Sequence, residues 1–177
     1  MLTLTSGSFS LSLGLQIRQQ KSWSDRLLIA LIFGAVQAMM LFLGMWLGQR
    51  FMHLFKAHYQ IVVFAIFGLI AFRMIQEALK IRKENRLFAF ESYSKLLIVA
   101  IAAGINSLIA GLAISAFQPP GAALPLAFLL AAAGWALLGL TLSINRLNIL
   151  TASFSQLISA FIMFVISFLY LFNFQWF

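Results

Sequence analysis

The chain has 177 residues, of which 63% are hydrophobic and only 9% charged, and its mean hydropathy is +0.99. A soluble domain is roughly 45–50% apolar and about 25% charged, so this composition excludes a water-soluble globule, and a disordered tail with it. Cysteine is absent, which excludes a disulfide scaffold and a thiolate metal site, and the net charge of +8 sits on bases placed between long apolar runs, the pattern of a membrane protein rather than of a nucleic-acid binder.

Residues 2–15 alternate polar with apolar over much of their length and are short for a span. Period-two alternation taken alone argues for a strand or a surface tail, yet a lone strand cannot cross lipid with its backbone groups unsatisfied. As a helix, the same stretch puts Ser6, Ser10 and Gly14 on one small-residue stripe, which suits packing inside a bundle. It has no basic n-region and no long apolar core, so it is a poor signal peptide. Both readings stay open on this segment alone.

A hydrocarbon core of about 30 Å takes roughly 20 apolar residues in a helix. Five segments meet that length: 27–47, 59–79, 96–117, 122–144 and 149–171. Arg18, Lys21 and Arg26 flank the first of them, and Lys80, Arg82, Lys83, Arg86 and Lys95 lie in the 80–95 connection, with Arg146 in a turn on the same side. Only Arg50 and Lys56 lie on the other side, and the 118–121 turn carries no base. The bias places the first set in the cytoplasm and, if residues 2–15 span, both termini outside. Tyr59, Trp46, Tyr170 and Trp176 then fall at outer ends, and Trp23 and Tyr93 at inner ones, as interfacial anchors would.

A weak internal similarity lays Gly7-Ser8-Phe9-Ser10-Leu11-Ser12-Leu13 over Asn106-Ser107-Leu108-Ile109-Ala110-Gly111-Leu112. With three helices in each half, the halves enter the membrane in opposite senses, the plan of transporters whose substrate site lies near the midplane between inverted repeats. Chance likeness between two Ser/Gly/Leu-rich helices explains the identities equally well.

Several motifs in order carry a family resemblance. They are Phe9-Ser10-Leu11-Ser12-Leu13-Gly14, Ile32-Phe33-Gly34-Ala35-Val36-Gln37, His58-Tyr59, Arg73-Met74-Ile75-Gln76-Glu77, and Ile101-Ala102-Ala103-Gly104-Ile105-Asn106-Ser107-Leu108. In these the chain resembles the manganese efflux pumps, a six-helix group within the lysine-exporter-like transporters, over nearly its whole length. The resemblance implies an all-α membrane protein of six transmembrane helices in a 3+3 inverted repeat. Repeat one would cover about 1–80 and repeat two about 95–177, joined by the basic cytoplasmic connection at about 80–95. It also implies manganese as the exported ion. Where the family pattern has an aspartate in the first and fourth helices, however, this chain has Gly7 and Asn106, and a family proline in helix two falls near Leu41.

Those departures bear on the solute. Manganese(II) prefers carboxylate, carbonyl and water oxygens, and bringing a dication into a dry interior without an anion is very unfavourable. Of the four acids, Asp25, Glu84 and Glu91 lie in connections, and only Glu77 lies within a helix. Glu77 is four residues after Arg73, so the two can pair on one face, as a structural ion pair or as a functional one. Asn106 sits mid-helix beside the stripe Ala103, Ser107, Gly111 and Ser115, as a cavity-lining amide or an interhelical hydrogen-bonding group. Gln37 lies in an otherwise apolar helix, and Ser8, Ser10 and Ser12 could line the opposite wall or bond their own backbone. His53 and His58 lack a third ligand, Gly44 and Gly48 form a GxxxG packing pattern, and Met39, Met40 and Met45 fit gap filling better than soft-metal binding.

The expected protein is therefore a multi-pass inner-membrane transporter. Asn106, Gln37, Ser8, Ser10, Ser12, Ser107 and Glu77 are its transport-path candidates, with no resident cofactor and manganese as the transported ion. No catalytic triad, phosphate loop or zinc-protease motif occurs in the chain, so no enzymatic role is expected. Its partners would be the bilayer and the transported cation or small solute, without nucleic acid and with self-association into a homo-oligomer left open. Two alternatives remain at this point: export of a neutral or zwitterionic solute, and a scaffold subunit that does not transport.

Overall fold

The computed structural model describes residues 9, 12, 15–16, 23–52, 58–84, 88–89, 93–116, 121–142 and 148–172. Five helices in it are long and apolar enough to cross a membrane: α1 (Trp23–Met52), α2 (Tyr59–Glu84), α3 (Tyr93–Ile114), α4 (Ala123–Leu142) and α5 (Asn148–Leu171). They coincide with the five apolar segments of the sequence. Large side chains such as Leu31, Leu69, Leu130 and Phe161 stand on their outer faces, because helices apolar on every side need lipid, not water, around them.

α1 is longer than its apolar run. It extends into both interfaces, where amphipathic side chains are accommodated. Asp25 in its first turn and Arg50 in its last complement the helix dipole. The Arg26 guanidinium lies 5.8 Å from the Trp23 ring centre, and that of Arg50 lies 5.4 Å from the Trp46 ring centre. At 1.5 Å per residue, these two aromatic anchors are about 35 Å apart, close to the thickness of a hydrocarbon core.

Phe9 and Ser12 are both helical. The Ser12 hydroxyl donates to the Phe9 carbonyl at 2.9 Å, a three-residue bond made within one turn, and the Phe9 ring meets Trp135 of α4 edge-on at 5.4 Å. At these two positions the helical reading of the N-terminal segment holds and the strand reading does not. Among the described residues, the one departure from helix is small. A two-residue strand β1 (Leu15–Gln16) pairs in parallel with β2 (Phe88–Ala89), with Leu15 opposite Phe88 and Gln16 opposite Ala89. This pairing joins the residues before α1 to those between α2 and α3.

α1 is the hub, packed along α3 and α4, while α2 lies along α5 and touches α3 over a smaller surface. Close approach of α1 and α3 depends on glycine. A Cβ on Gly44 would strike the Leu108 carbonyl oxygen and come within 3.1 Å of the Gly111 Cα, and one on Gly111 would strike the Leu41 carbonyl oxygen. A matching contact stands on the other side of the bundle, where a Cβ on Gly139 of α4 would strike Ser12 Oγ and lie 2.8 Å from the Phe9 carbonyl oxygen. α2 and α5 are clasped near both ends by hydroxyls bonding across to main-chain carbonyls, Ser153 to Ala78 at 3.0 Å and Ser167 to Phe64 at 2.8 Å.

Two apolar clusters fill the interior. One, built on Ile29, Phe33, Leu96, Ala100, Ala136 and Leu140, joins α1, α3 and α4 at the end where α1 begins. The other draws on all five helices further along, including Leu41, Met45, Phe67, Met74, Ala110, Phe128 and Met163.

Replacing Gly44 by alanine must push α1 from α3. An over-packed site of this kind costs about 1–3 kcal/mol, and a shift of that size is expected in the unfolding of the purified protein in detergent. Gly134→Ala is the control, since a Cβ there meets nothing within 4 Å, and its unfolding should match that of the unmodified protein.

Candidate functional site

Between the two apolar clusters the interior turns polar. On α1 the lower cluster ends at Phe33 and Val36 and the upper begins at Leu41; on α3 the corresponding limits are Ala100 and Ile109. Gln37 occupies the first gap, and Asn106 and Ser107 the second, all of them buried. Contacts of Gly104 with Val36 and Met40, and of Gly44 with Leu108 and Gly111, bracket these three residues at one depth of the α1–α3 interface. Gln37 and Asn106 each fall near the midpoint of their spans.

Asn106 and Ser107 differ from the serines whose hydroxyls bond carbonyls. Ser12 bonds the Phe9 carbonyl, Ser115 that of Leu112 at 2.7 Å, and Ser153 and Ser167 carbonyls of α2. Among the described residues, Asn106 Oδ1 and Ser107 Oγ have no hydrogen-bond partner. A buried amide oxygen and hydroxyl left unpaired are costly, by about 1–3 kcal/mol each, and such groups are satisfied when a solute, ion or water brings the missing partner.

A second polar group lies where α2, α3 and α5 meet. Arg73 donates from Nε to Glu77 Oε1 at 3.1 Å and from Nη2 to the Ala102 carbonyl at 3.3 Å. Gln156 donates from Nε2 to Glu77 Oε2 at 3.0 Å. The carboxylate fixes the amide's orientation, because an amide oxygen turned toward it would be repelled. Gln156 Oε1 is thereby aimed elsewhere, and it has no hydrogen-bond partner among the described residues although Gln156 is 2% exposed. Arg73 and Glu77 are thus paired as their spacing predicts, but within a larger network. Gln156 was not among the sequence candidates. The signal that could have found it is the run Ser153, Gln156, Ser159, polar at every third residue of an apolar span and buried at all three positions.

The remaining candidates divide. Ser12 is buried, with its hydroxyl held by its own backbone and turned toward Gly139. Ser8, Ser10, Gly7 and His53 lie outside the described residues, and His58 is exposed at the start of α2. Met39 is 67% exposed while Met45 is fully buried, so the thioethers of α1 do not converge. Among the described residues, no three His, Cys, Asp or Glu side chains gather as a metal cluster. The available donors are amide, hydroxyl and carbonyl oxygens with one carboxylate, a hard-oxygen set suited to cations such as manganese or magnesium, or to a hydrogen-bonding solute.

Five spanning helices with a polar layer buried at mid-depth define a multi-pass helical membrane protein. The chain belongs to the manganese efflux pump family: the family model described as "Putative manganese efflux pump" matches residues 20–171. Relatives bearing the same designation include MntP 1 of Wolinella succinogenes, 36% identical over 113 residues (64% of this chain and 62% of the relative). MntP of Gloeothece citriformis is 33% identical over 120 residues (66% and 62%), and MntP of Methanosarcina acetivorans is 32% identical over 120 (67% and 63%). The chain therefore spans about three-fifths of the length of these curated relatives. No solved structure matches it.

Serine substitutions separate structural hydroxyls from the open ones. Ser167→Ala removes an interhelical bond and should lower stability by about 0.6–1.7 kcal/mol, the range measured for such bonds in membranes. Ser107→Ala removes a hydroxyl without a partner among the described residues, and unfolding of the purified protein is expected to show no loss.

Proposed function

We propose that the protein exports a divalent cation, manganese, from the cytoplasm across the inner membrane by alternating access of two inversely inserted halves. The observation that carries this reading is the buried polar layer of Gln37, Asn106 and Ser107, closed off on either side by apolar clusters. A polar layer with apolar packing above and below suits a pump that must never be open at both ends. Membership of the family supports the substrate, as do the oxygen donors.

Residues 2–15 supply the sixth span in this reading. Support comes from the paired glycine contacts. Laid over one another as in the internal similarity, Phe9 falls on Leu108 and Ser12 on Gly111, and these are the residues met by Gly139 and Gly44 respectively. One contact between the two halves is thus found twice with the halves exchanged, as a 3+3 inverted repeat requires. The first segment and α3 would form the central pathway, with Ser8 and Ser10 on one wall and Asn106, Ser107 and Gln37 on the other, Ser12 being turned toward α4 instead. Both termini face outside in this topology, because the basic connections face the cytoplasm.

The wild-type chain, produced in cells lacking other manganese exporters, is expected to lower cell manganese under manganese stress and to restore growth. Unchanged metal content, with the protein verified in the membrane, rejects manganese export. The double substitution Gly7→Asp with Asn106→Asp restores the two acids of the family pattern. Tolerance that emerges only in that variant would assign the present chain another solute.

A further inference from the structure

We infer that the cation's charge is compensated at the α2–α3–α5 junction by Glu77 and the Ala102 carbonyl, with Gln156 positioning the carboxylate, and that the guanidinium of Arg73 is a tethered cation holding this site until the transported ion displaces it. The inference rests on the transport reading and assigns its ion a place away from the α1–α3 interface.

The argument begins with charge. A dication in a low-dielectric interior needs an anion close by, and amides alone do not supply one. Asn106, Ser107 and Gln37 are all neutral. Glu77 is the one acid of the chain within a span, in the last turn of Gln60–Leu79 with its side chain 35% exposed, because Asp25 lies in the first turn of α1, Glu84 ends α2 and Glu91 lies in the connection. Whatever dication enters the described interior is therefore stabilised best at Glu77.

The geometry around Glu77 already has the form of a cation site with a cation in it. Arg73 bridges Glu77 Oε1 and the Ala102 carbonyl at 3.1 and 3.3 Å, two oxygens from different helices. Gln156 holds the other carboxylate oxygen, which fixes the carboxylate plane, and its own Oε1 has no hydrogen-bond partner among the described residues. When the guanidinium withdraws, the Glu77 carboxylate of α2 and the Ala102 carbonyl of α3 are left facing its place, hard donors of the kind manganese(II) takes, while Gln156 of α5 still holds the far carboxylate oxygen. Arg73 is able to withdraw. Its side chain is 31% exposed, it sits near the cytoplasmic half of α2, and a long basic side chain can snorkel from there toward the interface. Arginine keeps its charge throughout, so the empty site stays neutralised without a proton. A structural ion pair would not need Gln156, whose amide oxygen is left without a partner among the described residues.

The test uses the full-length protein in lipid nanodiscs with manganese(II) alone as probe, bound and free ion being distinguished by the electron paramagnetic resonance signal of the hydrated ion. Arg73→Gln removes the resident charge and should tighten manganese binding by roughly 5- to 150-fold, the usual span of coupling between two competing occupants. Adding Glu77→Gln to that variant should abolish the gain. Gln156→Leu keeps both charges and should weaken binding by about fivefold or more, which keeps the inference testable if Arg73→Gln fails to assemble. Unchanged affinity in Arg73→Gln, or tight binding that survives loss of Glu77, overturns it, as does unchanged affinity in Gln156→Leu. Manganese flux into proteoliposomes is measured separately. A wild type that shows this binding pattern without flux sinks the export reading and leaves the site standing. Flux indifferent to both Arg73 and Glu77 overturns the site.

Discussion

Hydrocarbon offers no hydrogen bonds, so every polar group carried into the bilayer must find its partner within the protein. Most of the architecture follows from that constraint. Backbone groups of the five spans close on themselves as helices. Serines turn their hydroxyls onto carbonyls of their own or a neighbouring helix, and the clasps from Ser153 and Ser167 to α2 are its clearest products. Since lipid is as apolar as leucine, the helices gain little by hiding apolar surface from one another. They associate instead where small residues let backbones touch, and that is why the α1–α3 contact is built on Gly44 and Gly111.

Against that background the unpaired atoms are conspicuous. Asn106 Oδ1, Ser107 Oγ and Gln156 Oε1 are, with Arg26 Nε near the start of α1, buried polar atoms that have no hydrogen-bond partner among the described residues. Ser12, Ser115, Ser153 and Ser167, by contrast, all turn their hydroxyls onto carbonyls. The placement of Asn106 and Ser107 between two apolar clusters, and not at the lipid-facing surface, gives the interior a layered character of dry, polar and dry.

The five spans were legible because twenty apolar residues in a row admit one interpretation, and the Arg73–Glu77 pair because four-residue spacing is a local rule. The GxxxG at Gly44 and Gly48 pointed to close packing for the same reason. The N-terminal segment was ambiguous because its Ser/Leu alternation satisfies a strand period and a small-residue helix stripe at once. Its helical character at Phe9 and Ser12 is settled by neighbours, Trp135 and Gly139, that lie far along the chain. Gln156 was missed for a similar reason. Its partner Glu77 is 79 residues away, and nothing local distinguishes a glutamine that orients a carboxylate from one that glues two helices.

The two Trp–Arg pairs on α1 have a consequence for the host membrane. Anchors about 35 Å apart on a single helix fix the bilayer thickness at which that helix stands upright. In a thinner leaflet pair α1 must tilt, and because Gly44 and Gly111 leave no slack between them, α3 has to lean with it. Lipid chain length thereby acts on the α1–α3 interface from outside, so acyl composition becomes a mechanical input to the molecule, felt at Gln37 and Asn106 without any lipid binding there.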